Sequence, residues 1–296
     1  MRVFSELEEV QAKASLDRRA FVFGHTLEAH PALSLRNLSE VIPALPREQV
    51  FHSSGRLDMA DDFDNAHKEH RPGQGLEAAL DDLRGSDAYI MVRQPEAHPS
   101  FRPVYDALCS DVEGMAAAAG IRADFDDAML YLFIASPDSV TPFHIDRYST
   151  CLMQVRGCKE VVVYPPWDPR VVADEDAEHY FARSGRRPEW REGAAALGER
   201  FQFTPGQALH IPFAAGHHVR NGSEDVSISL SIIFRTSESR RLTQALLFNH
   251  YARRYLSRLG MNPRRVAMDA AGVAAKSALW RVGRRAAGLL KAPVAP

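Results

Sequence analysis

The hexapeptide Thr141-Pro-Phe-His-Ile-Asp146 sets an imidazole and a carboxylate two residues apart. Along a strand that spacing puts both groups on one face, close enough to chelate a single ion. Spacing alone decides nothing. Acids make up about 13% of the chain, so its twelve histidines would give roughly 1.5 such pairs by chance. Two exist, His144-Ile-Asp146 and His67-Lys-Glu69. The second sits in DDFDNAHKEHRPGQG, a polar stretch with no apolar frame and a Pro-Gly turn behind it. It reads as a solvated loop, because metal ligands need rigid support. The first lies between β-type runs. Two ligands hold a divalent ion poorly, so a third is expected. PGQALHIPFAAGHHVRN (205–221) supplies candidates, with a Pro-Gly turn, a strand, a second turn and two histidines in succession. Lys159 heads the apolar run KEVVVY. It is either a surface lysine at a strand end or a counter-charge for an acidic co-substrate.

The elements that must carry these residues change in texture along the chain. Residues 1–119 alternate helical and strand-like segments. NLSEVIPAL and GLEAALDDLRG read as short helices, AYIMVR as a buried strand, and FRPVYDALCSDVEGMAAAAG as a longer helix stopped by Gly120. Ser5 and Glu8 have the spacing of a capping box opening an amphipathic helix. From Ala128 to Phe234, eight short strand candidates follow one another: MLYLFIA, SVTPFHI, TCLMQV, KEVVVY, ERFQFT, QALHIP, HHVRN and VSISLSIIF. Arg156-Gly157 fits a tight hairpin turn between two of them. A polar excursion, Trp167–Gly198, interrupts the series and reads as an insertion over one end of a β-core. Eight strands in this span predict a double-sheet jelly roll. After Arg235 the pattern returns to helix, first in RRLTQALLFNHYARRYLSRLG and then in VAAKSALWRVGRRAAGLLK. The expected fold is mainly β with flanking helices. A cupin-like jelly-roll core at 120–236 would carry the insertion at about 167–198, between an N-terminal α/β segment at 1–119 and a basic helical segment at 237–296.

Four pieces of the chain, in order, resemble the JmjC or cupin-like iron(II)- and 2-oxoglutarate-dependent oxygenases, in the style of the asparaginyl hydroxylase of hypoxia-inducible factor. TPFHID matches the family's T-P-x-H-x-D, and QVRGCKEVVVYPP its Q-x-x-G-x-K with an apolar strand and a Pro-Pro stop. PGQALHIPFAAGHHV matches P-G-D-x-L-x-I-P-x-x-W-x-H-x-V, and ISLSIIFR the last core strand. Together they cover about a third of the chain. The resemblance implies iron ligands His144, Asp146 and His217. His217 stands at the ligand place because the family has one residue between ligand and valine. Lys159 matches the lysine that pairs with the distal carboxylate of 2-oxoglutarate, and Thr141 the hydroxyl beside it. Thr150 and Ser231 stand where the family often carries asparagine near the co-substrate.

Fe(II), 2-oxoglutarate and O2 are thus the implied cofactor set. The implied reaction is hydroxylation of a protein, peptide or small molecule, with release of succinate and CO2. The charges of Fe(II), Asp146, the diacid and Lys159 cancel, which avoids a costly unpaired buried charge. Demethylation of N-methyl-lysine is a subtype of the same chemistry. Two departures stand out. Gln207 replaces the usual acid after Pro-Gly, and Ala214-Ala215-Gly216 replaces a bulky run, with small residues that could widen the pocket. His210 and His218 remain as structural or hydrogen-bonded histidines. Arg147, Tyr148, Arg220 and the 167–198 insertion are the expected lining of the approach. The competing readings are a cupin-type metal enzyme without 2-oxoglutarate and a non-catalytic binding module.

Composition narrows the setting. Hydrophobic content of 45% with 25% charged residues suits a globular domain with a full core. Three irregularly spaced cysteines argue against a disulfide framework, and with no apolar leader they predict a cytoplasmic location. No run approaches the 18 apolar residues of a membrane span. From Ser237 onward twelve Lys/Arg face two acids, leaving about −12 on the rest of a chain whose net charge is −2. That basic segment leaves nucleic acid open as a partner, though solvated helices are the expected reading. Its apolar stripe could pair two copies across a two-fold axis.

Overall fold

The computed structural model describes residues 2–70, 73 and 75–286. Twelve strands follow in chain order: β1 (Phe4–Ser5), β2 (Phe21–His25), β3 (Val50–Ser53), β4 (Tyr89–Arg93), β5 (Ala123–Ala135), β6 (Val140–Ile145), β7 (Ser149–Arg156), β8 (Lys159–Val163), β9 (Glu199–Phe203), β10 (Gln207–Ile211), β11 (Gly216–Asn221) and β12 (Ser227–Thr236). The helices are α1 (Glu9–Ser15), α2 (Leu35–Ala44), α3 (Ala66–Glu69), α4 (Leu76–Asp81), α5 (Arg102–Ala118), α6 (Asp174–Phe181), α7 (Ser237–Leu256) and α8 (Val273–Ala286). Residues 287–291 of the second C-terminal helix pattern, and Pro72 of the Pro-Gly turn, lie outside the described residues.

The strands form two antiparallel sheets. The larger runs β1-β2-β10-β7-β12-β5-β4-β3 and the smaller β6-β11-β8-β9. All eight strands expected after Ala123 are present, four in each sheet, and most successive strands alternate between the sheets. This is a jelly roll. The segment before it adds β1 and β2 to one edge of the larger sheet and β4 and β3 to the other.

The alternation of side chains along β12 shows how the two faces divide. Ile228, Leu230, Ile232 and Phe234 point away from the smaller sheet and pack with Val104, Leu108, Val112 and Met115 of α5 in the largest apolar cluster. Those α5 positions recur at helical spacing, so one stripe of the helix is buried. Ser227, Ser229 and Ser231 occupy the opposite, inward face and are also buried. Between the sheets a second apolar cluster joins Leu152, Leu209 and Ile211 to Val161, Val163 and Val219. The main core therefore lies outside the jelly roll, and the interior is free to be partly polar.

Two local expectations are corrected. Ser5 lies in β1, and α1 begins after Glu8 with no side-chain cap. Arg156-Gly157 is not a hairpin, because β7 and β8 belong to different sheets and the turn carries the chain across the sandwich. The glycine requirement survives that change. Gly157 has φ +69°, and a Cβ there would stand 2.5 Å from the Val226 carbonyl oxygen. Gly157→Ala is expected to lower stability by about 3 kcal/mol, from left-handed strain plus a backbone clash. A shift of the urea midpoint at constant slope measures it.

The 167–198 excursion connects β8 to β9 and is not structureless. Its α6 packs Ala177, Tyr180 and Phe181 against Phe213, Leu242 and Leu246, wedged between the jelly roll and α7. Buried Glu178 is clamped there by Arg253 at 2.8 Å and by the Asn249 amide.

Candidate metal centre and its cavity

His144 on β6 and His217 on β11 face each other in register across two antiparallel strands. Their ring centroids are 4.1 Å apart. Each ring directs Nδ1 at a carbonyl two residues back, His144 to Pro142 at 2.8 Å and His217 to Ala215 at 3.1 Å. A carbonyl only accepts, so Nδ1 carries the proton and Nε2 is the free lone pair. Asp146 completes the group, with Oδ2 3.8 Å from His217 Nε2. It accepts a hydrogen bond from the Thr150 hydroxyl at 3.2 Å. One ligand atom from each of the three lies within 4.8 Å of the others, the one such cluster among the described residues. Burial, together with the neighbouring His144, holds His217 below the ordinary imidazole pKa, which favours the neutral ligand form.

Strict alternation would not produce this cavity wall. Thr141 and His144 are three apart, so a regular strand would turn them to opposite faces. The β6–β11 register shifts between His217 and Val219, with Thr141 opposite Val219 and His144 opposite His217. Pro142 and Phe143 thus share one partner position. This bulge lets Thr141 and His144 both line the interior. A proline is tolerated there because β6 is an edge strand.

The cluster opens into a cavity of about 250 Å³. Thr141, Thr150, Lys159 and Ser231 all line it, so the seven residues assigned to iron and its co-substrate arrive at one place. Lys159 points inward, 7% exposed, and its Nζ donates to Ser229 Oγ at 2.8 Å. Among the described residues no carboxylate lies within ion-pair distance of it. Burial pushes its pKa down from 10.5 to about 7. The folded protein therefore binds fewer protons than the unfolded chain between about pH 7 and 10.5. Stability of the ligand-free protein is expected to rise with pH across that window, and the penalty is complete below about pH 7. Melts at pH 7 and 9 on wild type and Lys159→Met, whose difference isolates this residue, check the slope.

Other parts of the site come from places the motifs do not mark. Ser229, buried behind the lining as the support of Lys159, is one. The Ser227-Ile-Ser229-Leu-Ser231 alternation was its visible signal, since three serines on one face of an apolar strand mark a polar interior. Tyr89, Met91 and Arg93 of β4, with Phe51 of β3, form an outer wall. Their period-2 spacing in YIMVR was legible, but nothing in the sequence said that β4 would extend the larger sheet beside the site. The Tyr89 hydroxyl accepts from Thr141 Oγ1 at 3.3 Å, and burial raises its pKa well above the usual phenol range.

Arg147 and Tyr148 line the cavity, as does Tyr180 of the insertion. Arg220 does not. It is exposed on the outer face of β11 with His218, two positions from it on the same side. The Ala214-Ala215-Gly216 run does not widen the cavity either. A Cβ on Gly216 would lie 2.6 Å from the Phe143 ring, so the small residues make room for a packed aromatic. Gln207 braces the turn before β10, its Oε1 accepting from the Thr204 amide and hydroxyl at 2.9 and 3.0 Å. His210 is structural. It accepts from the Asp17 amide and donates to the Thr150 carbonyl. The His67 segment is a short helical turn, α3, with His67 against Phe51.

No protein-family model and no curated protein matches the chain. Solved structures do. YcfD of Escherichia coli aligns with a TM-score of 0.51 at 14% identity, over 99% of this chain and 70% of that one. A second structure, described as the ribosomal oxygenase YcfD, gives 0.51 at 15% identity over the same shares. A third, in complex with cobalt and 2-oxoglutarate, gives 0.51 at 15%, over 98% and 69%. The chain has their fold. At this identity the likeness establishes architecture, and the chemistry must be argued from the side chains.

Proposed function

We propose that the chain is an Fe(II)- and 2-oxoglutarate-dependent dioxygenase that hydroxylates a protein, peptide or small-molecule substrate. One observation carries the reading. A buried ammonium with no carboxylate in ion-pair distance among the described residues stands in the same cavity as two imidazoles and a carboxylate close enough to hold one ion. Two nitrogens and one carboxylate oxygen with open positions suit non-haem Fe(II). When bound, iron with 2-oxoglutarate and O2 supplies the oxidation that turns a C–H bond into C–OH, with release of succinate and CO2.

The chain's own residues do the rest. His144, Asp146 and His217 hold the metal, each ring fixed by its Nδ1 bond and Asp146 by Thr150. Lys159, steadied by Ser229, takes the distal carboxylate of the diacid, with Thr141 and Ser231 beside it. Lys159 stands four residues along β8 from Val163, the partner of His217. That offset is roughly 13 Å of strand, which a lysine side chain and a five-carbon diacid can span together. Phe133, Leu152, Ile211 and Val219 exclude water around the pair. Residues 120–236 form the catalytic unit, 1–119 its outer wall, and the free cysteines suit the cytoplasm. The neighbours' description as ribosomal oxygenases favours a protein substrate among the three classes.

The test is succinate release from 2-oxoglutarate by Fe(II)-loaded protein, with and without O2. Oxygen-dependent succinate supports the reading. Metal binding without 2-oxoglutarate binding would favour the cupin-type alternative and overturn it.

A further inference from the structure

Two guanidinium groups at the cavity mouth have no anionic partner among the described residues. Arg93 lines the cavity half-buried, and the one hydrogen bond its side chain makes among the described residues is the weak contact from Nε to Met129 Sδ at 3.3 Å. Arg147 follows the ligand Asp146 directly, and its Nε and Nη2 both donate to the Tyr180 carbonyl, at 3.2 and 2.8 Å. No ion pair with either arginine occurs among the described residues, whereas arginines such as Arg84, Arg156 and Arg200 each meet a carboxylate. Asp146 is the sole acid of the lining, and the metal claims it.

The mouth is also aromatic, which would suit a cation if the ring faces were free. Two are already covered by the protein's own cations. The Arg147 guanidinium lies 3.6 Å from the centroid of Tyr180, and that of Arg235 4.8 Å from Tyr148. A substrate ammonium or guanidinium entering there would meet like charge where it needed an open ring. An anion would meet donors already in place and partly desolvated, where charge-assisted bonds are strong. The positions suit a substrate of modest size. Arg93 pairs across to Tyr131, and Tyr131 to Ser231, so Arg93 stands two strands, about 10 Å, from Ser231 on the same inner face.

We infer that this mouth recognises an anionic group on the substrate, with Arg93 and Arg147 as its specificity determinants, and that it rejects cationic side chains, N-methyl-lysine included. The inference deepens the oxygenase reading and rests on it for the chemistry, though not for the binding.

The test is calorimetric titration of the folded protein, without added metal, against matched probes. Acetyl-Gly-X-Gly-amide with X as Glu, Gln, Lys, trimethyl-Lys or Arg covers a peptide-borne charge. Hippurate against hippuramide covers a free carboxylate, so the two sources separate. The anionic member of at least one set is expected to bind at least 10-fold tighter than its neutral match and than every cation. Arg93→Glu should reverse the preference toward lysine, a gain that an unfolded variant could not show, and Arg93→Lys should keep it. Repeating the series in Lys159→Met excludes the co-substrate end. Cationic probes binding as well as anionic ones, no anionic advantage, or an advantage that survives Arg93→Glu or vanishes in Lys159→Met would each overturn the inference. Succinate release is measured separately. Turnover without anion preference leaves the oxygenase reading standing and removes this inference, and anion preference without turnover does the reverse.

Discussion

Asp146→Ala should weaken divalent metal binding by more than about 100-fold and reduce succinate release to background. Loss of an outer partner of a metal site already costs 10–100-fold, and here a ligand itself is removed. The two imidazoles that remain contribute no negative charge to offset the ion. Fold and metal-free stability should hold to within about 1 kcal/mol, because the side chain is 30% exposed and its one hydrogen-bond donor among the described residues, Thr150, lines the cavity and can turn to water. Cobalt(II) titration followed by visible absorbance reads the affinity, and a melt without metal reads the fold. Unchanged cobalt affinity would remove this carboxylate from the centre, and the dioxygenase reading with it.

Lys159→Met should move two quantities in opposite directions. In the ligand-free protein the ammonium is buried against a single hydroxyl, so an apolar side chain of similar length is expected to stabilise by about 1–4 kcal/mol. Binding of 2-oxoglutarate should suffer, because the distal carboxylate loses its counter-charge in a water-poor site. Removing one partner of such a pair costs about 2–5 kcal/mol, so the KM for the co-substrate should rise about 30-fold or more. A lysine held for structural reasons would instead give lower stability and an unaltered KM. Urea titration and 2-oxoglutarate kinetics on the same preparation separate the two.

Much of the candidate site was legible because its side chains are brought together by spacing along strands. His144 and Asp146 share a face at period 2, and the same rule separates His217 from His218 and should have set Arg220 aside. The Lys159 reading depended on family resemblance. By itself, a lysine at a strand head is as consistent with snorkelling into water, and only burial between two sheets removes that choice. Arg156-Gly157 shows the limit of local reasoning. Its glycine was identified correctly and its geometry was not, since a turn within one sheet and a turn between sheets ask the same φ of the same residue.

The chain's sequence by itself determined the eight strands, the one-sided serines of the last strand and the candidate ligand types, because these follow from side-chain alternation and local backbone preference. Tertiary structure alone decided which strands meet. It set His144 opposite His217, let a bulge at Pro142-Phe143 turn Thr141 inward, and brought β4 round to hold Arg93 at the mouth. Strand pairing joins residues far apart in the chain through backbone hydrogen bonds common to every residue type. No local pattern encodes that choice, and the packing of the whole molecule makes it.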